Sequence, residues 1–251
     1  QTLTLIPHCN GTHTECVGHL TREPLDAHRV APLGFIPAML VSIEPVDASG
    51  SGEGTDPTPH RGDQLITRGA LENSWRAAEG RAPETEALVP NPVVPKATRT
   101  GSTATAAVGA AASRTTPAQF VPRALIIRTL PNPPGKQHQN YSDSTPPYLS
   151  RQAAELLIEL GIEHLVVDLP SIDRAHDEGR LTAHRIFFGL PPASTALAQA
   201  TRPRATVTEL AYIPDAAPDG PYVLELQVPA LGGDAVPSRP LLYRLSGREP
   251  G

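Results

Sequence analysis

Polar and apolar residues alternate along this chain with two different periods. Gln1-Thr2-Leu3-Thr4-Leu5-Ile6 alternates every second residue up to Pro7, which predicts a strand. Ala38–Ile43, Ala124–Arg128 and His164–Asp168 are short apolar runs and predict buried strands, the last apolar enough for the middle of a sheet. Helical spacing takes over twice. Leu65, Ile66, Leu71 and Trp75 punctuate Asp63–Glu79, with Asp63 as the expected cap. Ala153, Leu156, Leu157 and Leu160 share one face of a helix expected over Leu149–Leu160, with Ser150 before it and Gly161 after it as caps. Three more β-like runs follow at Thr206–Ile213, Tyr222–Val228 and Leu241–Leu245, divided by turns at Asp219-Gly220 and Gly232-Gly233. Strands and a few helices without regular βαβ repetition predict an α+β or mixed α/β class, in a single domain over 1–251.

Composition changes this picture in one place. The 251 residues include 20 Gly and 29 Pro but only 4% aromatics, so turns are many. Residues 80–118 hold Pro, Ala, Thr and Gly with few large apolar side chains. Such a stretch buries too little surface to offset its ordering entropy, and a flexible insertion is expected there. Residues 47–62, 131–147 and 189–204 read as loops. The chain starts at Gln1 rather than Met, and a portion before it is expected to be missing.

Charge and cysteine count exclude several classes. The net charge of −5 offers no basic footprint for nucleic acid. No apolar run approaches the roughly 18 residues of a membrane-spanning helix. Two cysteines, Cys9 and Cys16, rule out a disulfide-stapled secreted scaffold. A soluble, cytoplasmic protein is expected. Ser171 lacks the Gly-x-Ser-x-Gly context of a serine nucleophile, and no Gly-rich phosphate loop is present.

The candidate chemistry lies in His8–His19, which packs three histidines, Glu15 and both thiols into a dense polar segment. In an extended chain His13 and Glu15, two apart, project to one side. Gly11 permits the sharp bend that lets His8 converge on them. Two imidazoles and a carboxylate suit zinc or manganese and leave positions open for water. His19, four residues past Glu15, can serve as a further ligand or as an acid/base group. A bland reading stands beside this one: solvated histidines, a surface glutamate and small apolar cysteines. A structural zinc site from Cys9, His13, Cys16 and His19 is a further alternative. His28, His60, His138, His164 and His176 have no partner spacing and read as solvated. Asp168 and Asp173 can support the site from behind its ligands.

Gly11-Thr12-His13-Thr14-Glu15-Cys16-Val17-Gly18-His19 resembles the signature of the metal-dependent cyclase-like hydrolases, the family of kynurenine formamidase and isatin hydrolase. Val166–Asp173 is similar to that family's strand ending in Asp-x-Pro-Ser-x-Asp. Leu181–His184 resembles its second ligand region, Glu209 its late glutamate, and Leu231–Arg239 the link between its closing strands. The resemblance implies a central, partly barrel-like sheet flanked by a few helices, in the cyclase-like swivelling β/β/α arrangement. It implies that His8, His13 and Glu15 hold one divalent metal, zinc or manganese, and that Glu15, His184 and Glu209 hold a second. It also implies that His19 is the acid/base residue. Glu15 stands where the family has Asp, and a strict count puts Cys9 rather than His8 first; His8 is preferred, because Asn10 beside Gly11 is easily absorbed in a turn.

The activity so implied is hydrolysis of an amide, lactam or ester of a small carbonyl compound by a metal-activated water, as in an arylformamidase of tryptophan catabolism, in a homo-oligomer (dimer or tetramer). The alternative is a non-catalytic member of the fold serving as a binding or assembly module.

Overall fold

Pairing register sets the architecture of this chain, whose computed structural model describes residues 2, 4–81 and 120–245. Eight strands form the main sheet: β1 (His13–Cys16), β2 (Phe35–Ile43), β5 (Ala124–Thr129), β7 (His164–Val167), β8 (Thr206–Glu209), β9 (Gly220–Gln227), β10 (Ala235–Pro237) and β11 (Arg239–Arg244). Their order is β10-β1-β8-β7-β5-β2-β9-β11. The four central strands β8, β7, β5 and β2 run parallel, and both flanks are antiparallel. β10 and β11 stand at opposite ends of this order, yet only Ser238 separates them in the chain. One residue spans a few ångströms, so the two ends of the sheet must meet, and the sheet curls into a partial barrel. β3 (Val46–Asp47), β4 (Gln64–Ile66) and β6 (Tyr148–Leu149) make a small second sheet.

Paired residues share a face, and the two faces differ. Met39, Val41, Leu125, Ile127, Leu165, Val167 and Val207 point to the helices and pack with them in the largest core cluster. Those helices are α4 (Arg68–Glu79), α5 (Arg151–Glu159) and α6 (Thr182–Phe188); α1 (Pro7–Asn10), α2 (Ala27–Val30) and α3 (Ala48–Ser51) are single turns. From α5, Ala153, Ala154, Leu156 and Leu157 are buried. At about 1.5–3 kcal/mol for each fully buried large side chain, this packing rather than helix propensity holds a nine-residue helix in place. On the opposite face Ala38, Leu40, Ala124, Ile126, Val166, Tyr222 and Leu224 form a second cluster inside the curl.

The mixed α/β class and the curled sheet agree with the expectation, whereas several local elements differ. Thr4–Ile6 form no strand, because the chain turns into α1 at Pro7; Gln1 and Leu3 lie outside the described residues. The helix expected from Asp63 begins only at Arg68, since Gln64–Ile66 pair with β3 and β6 first. Its cap is Thr67, whose side chain accepts from Ala70 N–H. Asp63 instead takes hydrogen bonds from Arg174 and Tyr148. Ser150 does cap α5, and Gly161 follows its last turn at φ 72°. The run expected over Thr206–Ile213 stops at Glu209, because Leu210 turns to φ 53°. His164 is buried rather than solvated, with its Nδ1 2.9 Å from Thr206 Oγ1. The expected insertion over 80–118 falls, apart from Gly80 and Arg81, outside the described residues. Among the described residues, no helix is long and apolar enough to cross a membrane.

Candidate metal centre

The sequence-predicted site residues come together on the helix-facing side of the sheet, where β1 and β8 meet α6. β1 is extended, so His13 and Glu15 do share a face, and that face is the one Val207 and Glu209 occupy in register beside them. Between the two, Thr14 turns to the other side and shares a 2.7 Å hydrogen bond with Thr208, which pins the register of β1 on β8. Gly11 has φ 144°, a conformation closed to residues with a Cβ. The bend it makes brings the His8 ring to 5.1 Å from that of His13. His184 arrives from α6, and the short 3-10 turn Val17–Leu20 carries His19.

Three trios offer ligand atoms within 4.8 Å of one another. One of them, His8, His19 and Asp234, is only half-buried; the other two are His8, His13 and Glu15, and Glu15, His184 and Glu209. Glu15 belongs to both of these: its Oε2 lies 3.1 Å from His8 Nδ1 and its Oε1 2.5 Å from His184 Nε2. Glu209 lies 3.4 Å from both His13 Nε2 and His184 Nε2. His13, Glu15, His184 and Glu209 are all buried.

Each buried imidazole is held by one nitrogen and presents the other. His13 Nδ1–H donates to Gly11 O at 3.0 Å, and His184 Nδ1–H to Asp173 Oδ2 at 2.6 Å. Asp173 also accepts from the backbone N–H groups of Ala183 and His184 at the start of α6. Asp173 thus supports the site from behind, as expected. Asp168 does not: it accepts from Lys136 Nζ and Thr129 in a separate buried network. Glu209 is oriented by Ile172 N–H, 3.0 Å from its Oε1.

The inward atoms are left over. His13 Nε2, Glu15 Oε1 and His184 Nε2 are buried without a hydrogen-bond partner. The last two are close, but they are not aligned as donor and acceptor. An unpaired buried polar atom costs about 1–3 kcal/mol, a cost that a cation held by these trios would relieve. The nitrogen and carboxylate donors fit zinc or manganese. The thiols do not contribute. Cys9 is exposed, and burial pushes the Cys16 thiol up to about 12 while its Sγ–H donates to Leu25 O. Neither cysteine falls in the groups above, whereas His8 does.

The electrostatics reflect the crowding. Burial disfavours charge on both Glu15 and His184, but their mutual attraction outweighs it. Glu15 is held well below the usual carboxylate range and His184 well above that of histidine. His8 is pushed up to about 10, by its hydrogen bond to Asp234 first and to Glu15 second. Asp234 is the residue that sequence reasoning passed over as part of a link. Its Oδ2 lies 3.3 Å from His8 Nε2 and 3.1 Å from His19 Nδ1, on the half-exposed side of the cluster.

No curated protein matches the chain. Among solved structures, it is similar to a potential metal-dependent hydrolase with cyclase activity at 16% identity and TM-score 0.50, covering 95% of this chain and 80% of that one. Isatin hydrolase A from Ralstonia solanacearum is similar at 16% identity and TM-score 0.51, covering 94% and 72%. An isatin hydrolase bound to the product analogue thioisatinate is similar at 15% identity and TM-score 0.50, covering 95% and 72%. At these identities the likeness is one of fold. The Cyclase family model matches residues 1–174, which include His8, His13, Glu15 and His19 and stop short of His184 and Glu209. With more than half of its length matched, the chain belongs to the cyclase family.

Proposed function

We propose that this chain is a divalent-metal hydrolase that opens an amide, lactam or ester bond of a small carbonyl compound. His8, His13, Glu15, His184 and Glu209 hold the zinc or manganese, and His19 moves the proton. The observation that carries this reading is a buried cluster in which His13 Nε2, Glu15 Oε1 and His184 Nε2 lack hydrogen-bond partners and Glu15 belongs to two ligand trios, His8/His13/Glu15 and Glu15/His184/Glu209. A bound divalent ion supplies Lewis acidity there, polarising a carbonyl and lowering the pKa of water.

The chain's own residues supply the rest. Glu15, shared by both trios, sets their separation. His13 and His184, each fixed from behind, present their inner nitrogens without side-chain rearrangement, the preorganisation that electrostatic catalysis needs. His8 and His19 are partly exposed and form the open rim, so a substrate reaches the centre past them. His19 Nε2 takes a proton from water as its oxygen bonds to the carbonyl carbon. It returns that proton to the leaving nitrogen or oxygen as the old bond breaks. The structural likeness to isatin hydrolases makes isatin, a cyclic amide, the first substrate to try.

Elemental analysis of purified wild type beside His13→Ala tests this. Stoichiometric zinc or manganese in the wild type, lost in the variant, is the expected result, followed by turnover of isatin, N-formylkynurenine or a simple lactone. A wild type that holds no metal after incubation with either ion would overturn the reading.

A further inference from the structure

We propose that Asp234 is the positioning residue of this site: one carboxylate oxygen fixes both the ligand face of His8 and the proton-carrying face of His19. The inference rests on the proposed hydrolytic role of His19 and adds to it a residue that lies 215 positions away in the chain.

The geometry is specific. Asp234 Oδ2 accepts from His8 Nε2–H at 3.3 Å and from His19 Nδ1–H at 3.1 Å, and the two rings lie 4.4 Å apart. A neutral imidazole that donates from one nitrogen keeps a lone pair on the other. His8 Nδ1 faces Glu15, 3.1 Å away, and a cation that displaced the proton between them would find there a ligand backed by an outer carboxylate. His19 is left with Nε2 free to accept a proton. Asp234 thus does on the open side of the cluster what Asp173 does for His184 on the buried side.

Its own backbone is fixed. Cys16 N–H donates to Asp234 O at 3.0 Å, Ala27 N–H to Gly233 O at 2.8 Å, and Gly233 N–H to Asp26 Oδ1 at 3.0 Å. Ala235, the next residue, pairs with Glu15 across β10 and β1. Gly18, just before His19, leaves room for this approach: a Cβ there would meet Leu25 O at 2.4 Å and Asp234 Cβ at 3.3 Å. Asp234 therefore reaches both histidines from a backbone tied to the strand that carries His13 and Glu15.

The test uses the zinc-loaded full chain as wild type, Asp234→Asn and Asp234→Glu, with three readouts. Long-range proton–nitrogen NMR reads the imidazole tautomers, chelator competition reads zinc affinity, and isatin opening is assayed. In the wild type His19 is expected in the Nδ1–H form. Asp234→Asn should give a tautomer mixture, unchanged zinc stoichiometry and about tenfold weaker zinc affinity. Its kcat should fall about 100-fold with KM within about threefold, and Asp234→Glu should recover part of each loss. His19 in the Nε2–H form in the wild type, or unaltered in Asp234→Asn, would overturn the assignment. So would loss of stoichiometric zinc, which would make Asp234 a ligand itself. A tautomer change without turnover of any carbonyl compound supports the positioning role while removing the hydrolase reading.

Discussion

Asp173 grips His184 by ring and by backbone at once: its Oδ2 accepts from Nδ1–H at 2.6 Å and from the residue's own N–H at 3.1 Å. Its Oδ1 takes the neighbouring Ala183 N–H at 2.7 Å, so one carboxylate both starts α6 and aims its histidine. Asp173→Asn keeps the shape but removes the charge and one acceptor. Metal affinity, read by chelator competition, is expected to fall about 10- to 100-fold. Thermal unfolding of the metal-free variant should show a loss of about 1–3 kcal/mol. Unchanged affinity would mean that His184 is aimed by packing alone.

Metal removal is expected to destabilise the fold as well as the site, because it returns three buried atoms to an unpaired state. Stability should rise with the logarithm of free zinc or manganese, by about 4 kcal/mol at a thousandfold excess over the dissociation constant. Calorimetry across a metal titration checks this. A melting temperature indifferent to metal would count against an ion at this point.

Lys136 and Asp168 form a buried pair at 2.6 Å, and Thr129 supplies two further hydrogen bonds to the carboxylate. Burial pushes the Asp168 carboxyl up, with Lys136 as the main opposing charge. Lys136→Met leaves that charge alone and is expected to cost about 3–5 kcal/mol. Adding Asp168→Asn should return part of the loss. Urea unfolding of the two singles and the double reads the coupling directly, and purely additive losses would refute it.

His164 supplies a pH dependence independent of the metal centre. Burial pushes its imidazole down to about 4. The folded value lies below the unfolded one of about 6.5. Its contribution is therefore complete above pH 6.5 and lost as pH falls from there towards 4, at most about 3 kcal/mol. The difference in urea stability between wild type and His164→Gln, measured near pH 7 and near pH 4.5, isolates this share from that of the carboxylates. It should shrink on acidification.

Much of the centre is legible in the sequence for a simple reason. His13 and Glu15 lie on a strand, where a period of two determines which side chains share a face, and Gly11 announces the bend that brings His8 in. His184 and Glu209 could be placed only by resemblance, since α6 is seven residues long and begins after Leu181 at φ 48°, which cannot cap it, while the carboxylate that does take its first N–H groups lies back at Asp173. Asp234 gave no local signal at all, because its partners are reached through sheet pairing rather than spacing. The error at Asp63 has a similar cause. An aspartate before an apolar run looks like a helix cap, but three residues of β4 intervene, and a buried arginine claims the carboxylate.

The placement of β1 has a consequence for how the molecule comes into being. β1 spans residues 13–16, yet its partners are β8 at 206–209 and β10 at 235–237. During synthesis the segment that carries His13 and Glu15 leaves the ribosome long before the strands it pairs with. The polypeptide must close a loop of nearly its whole described length before two of the proposed ligands are seated, and contacts of such long range form slowly. Until then the nascent chain exposes histidines and a glutamate that can capture stray metal, so the ion and the final strand pairing are expected to arrive together.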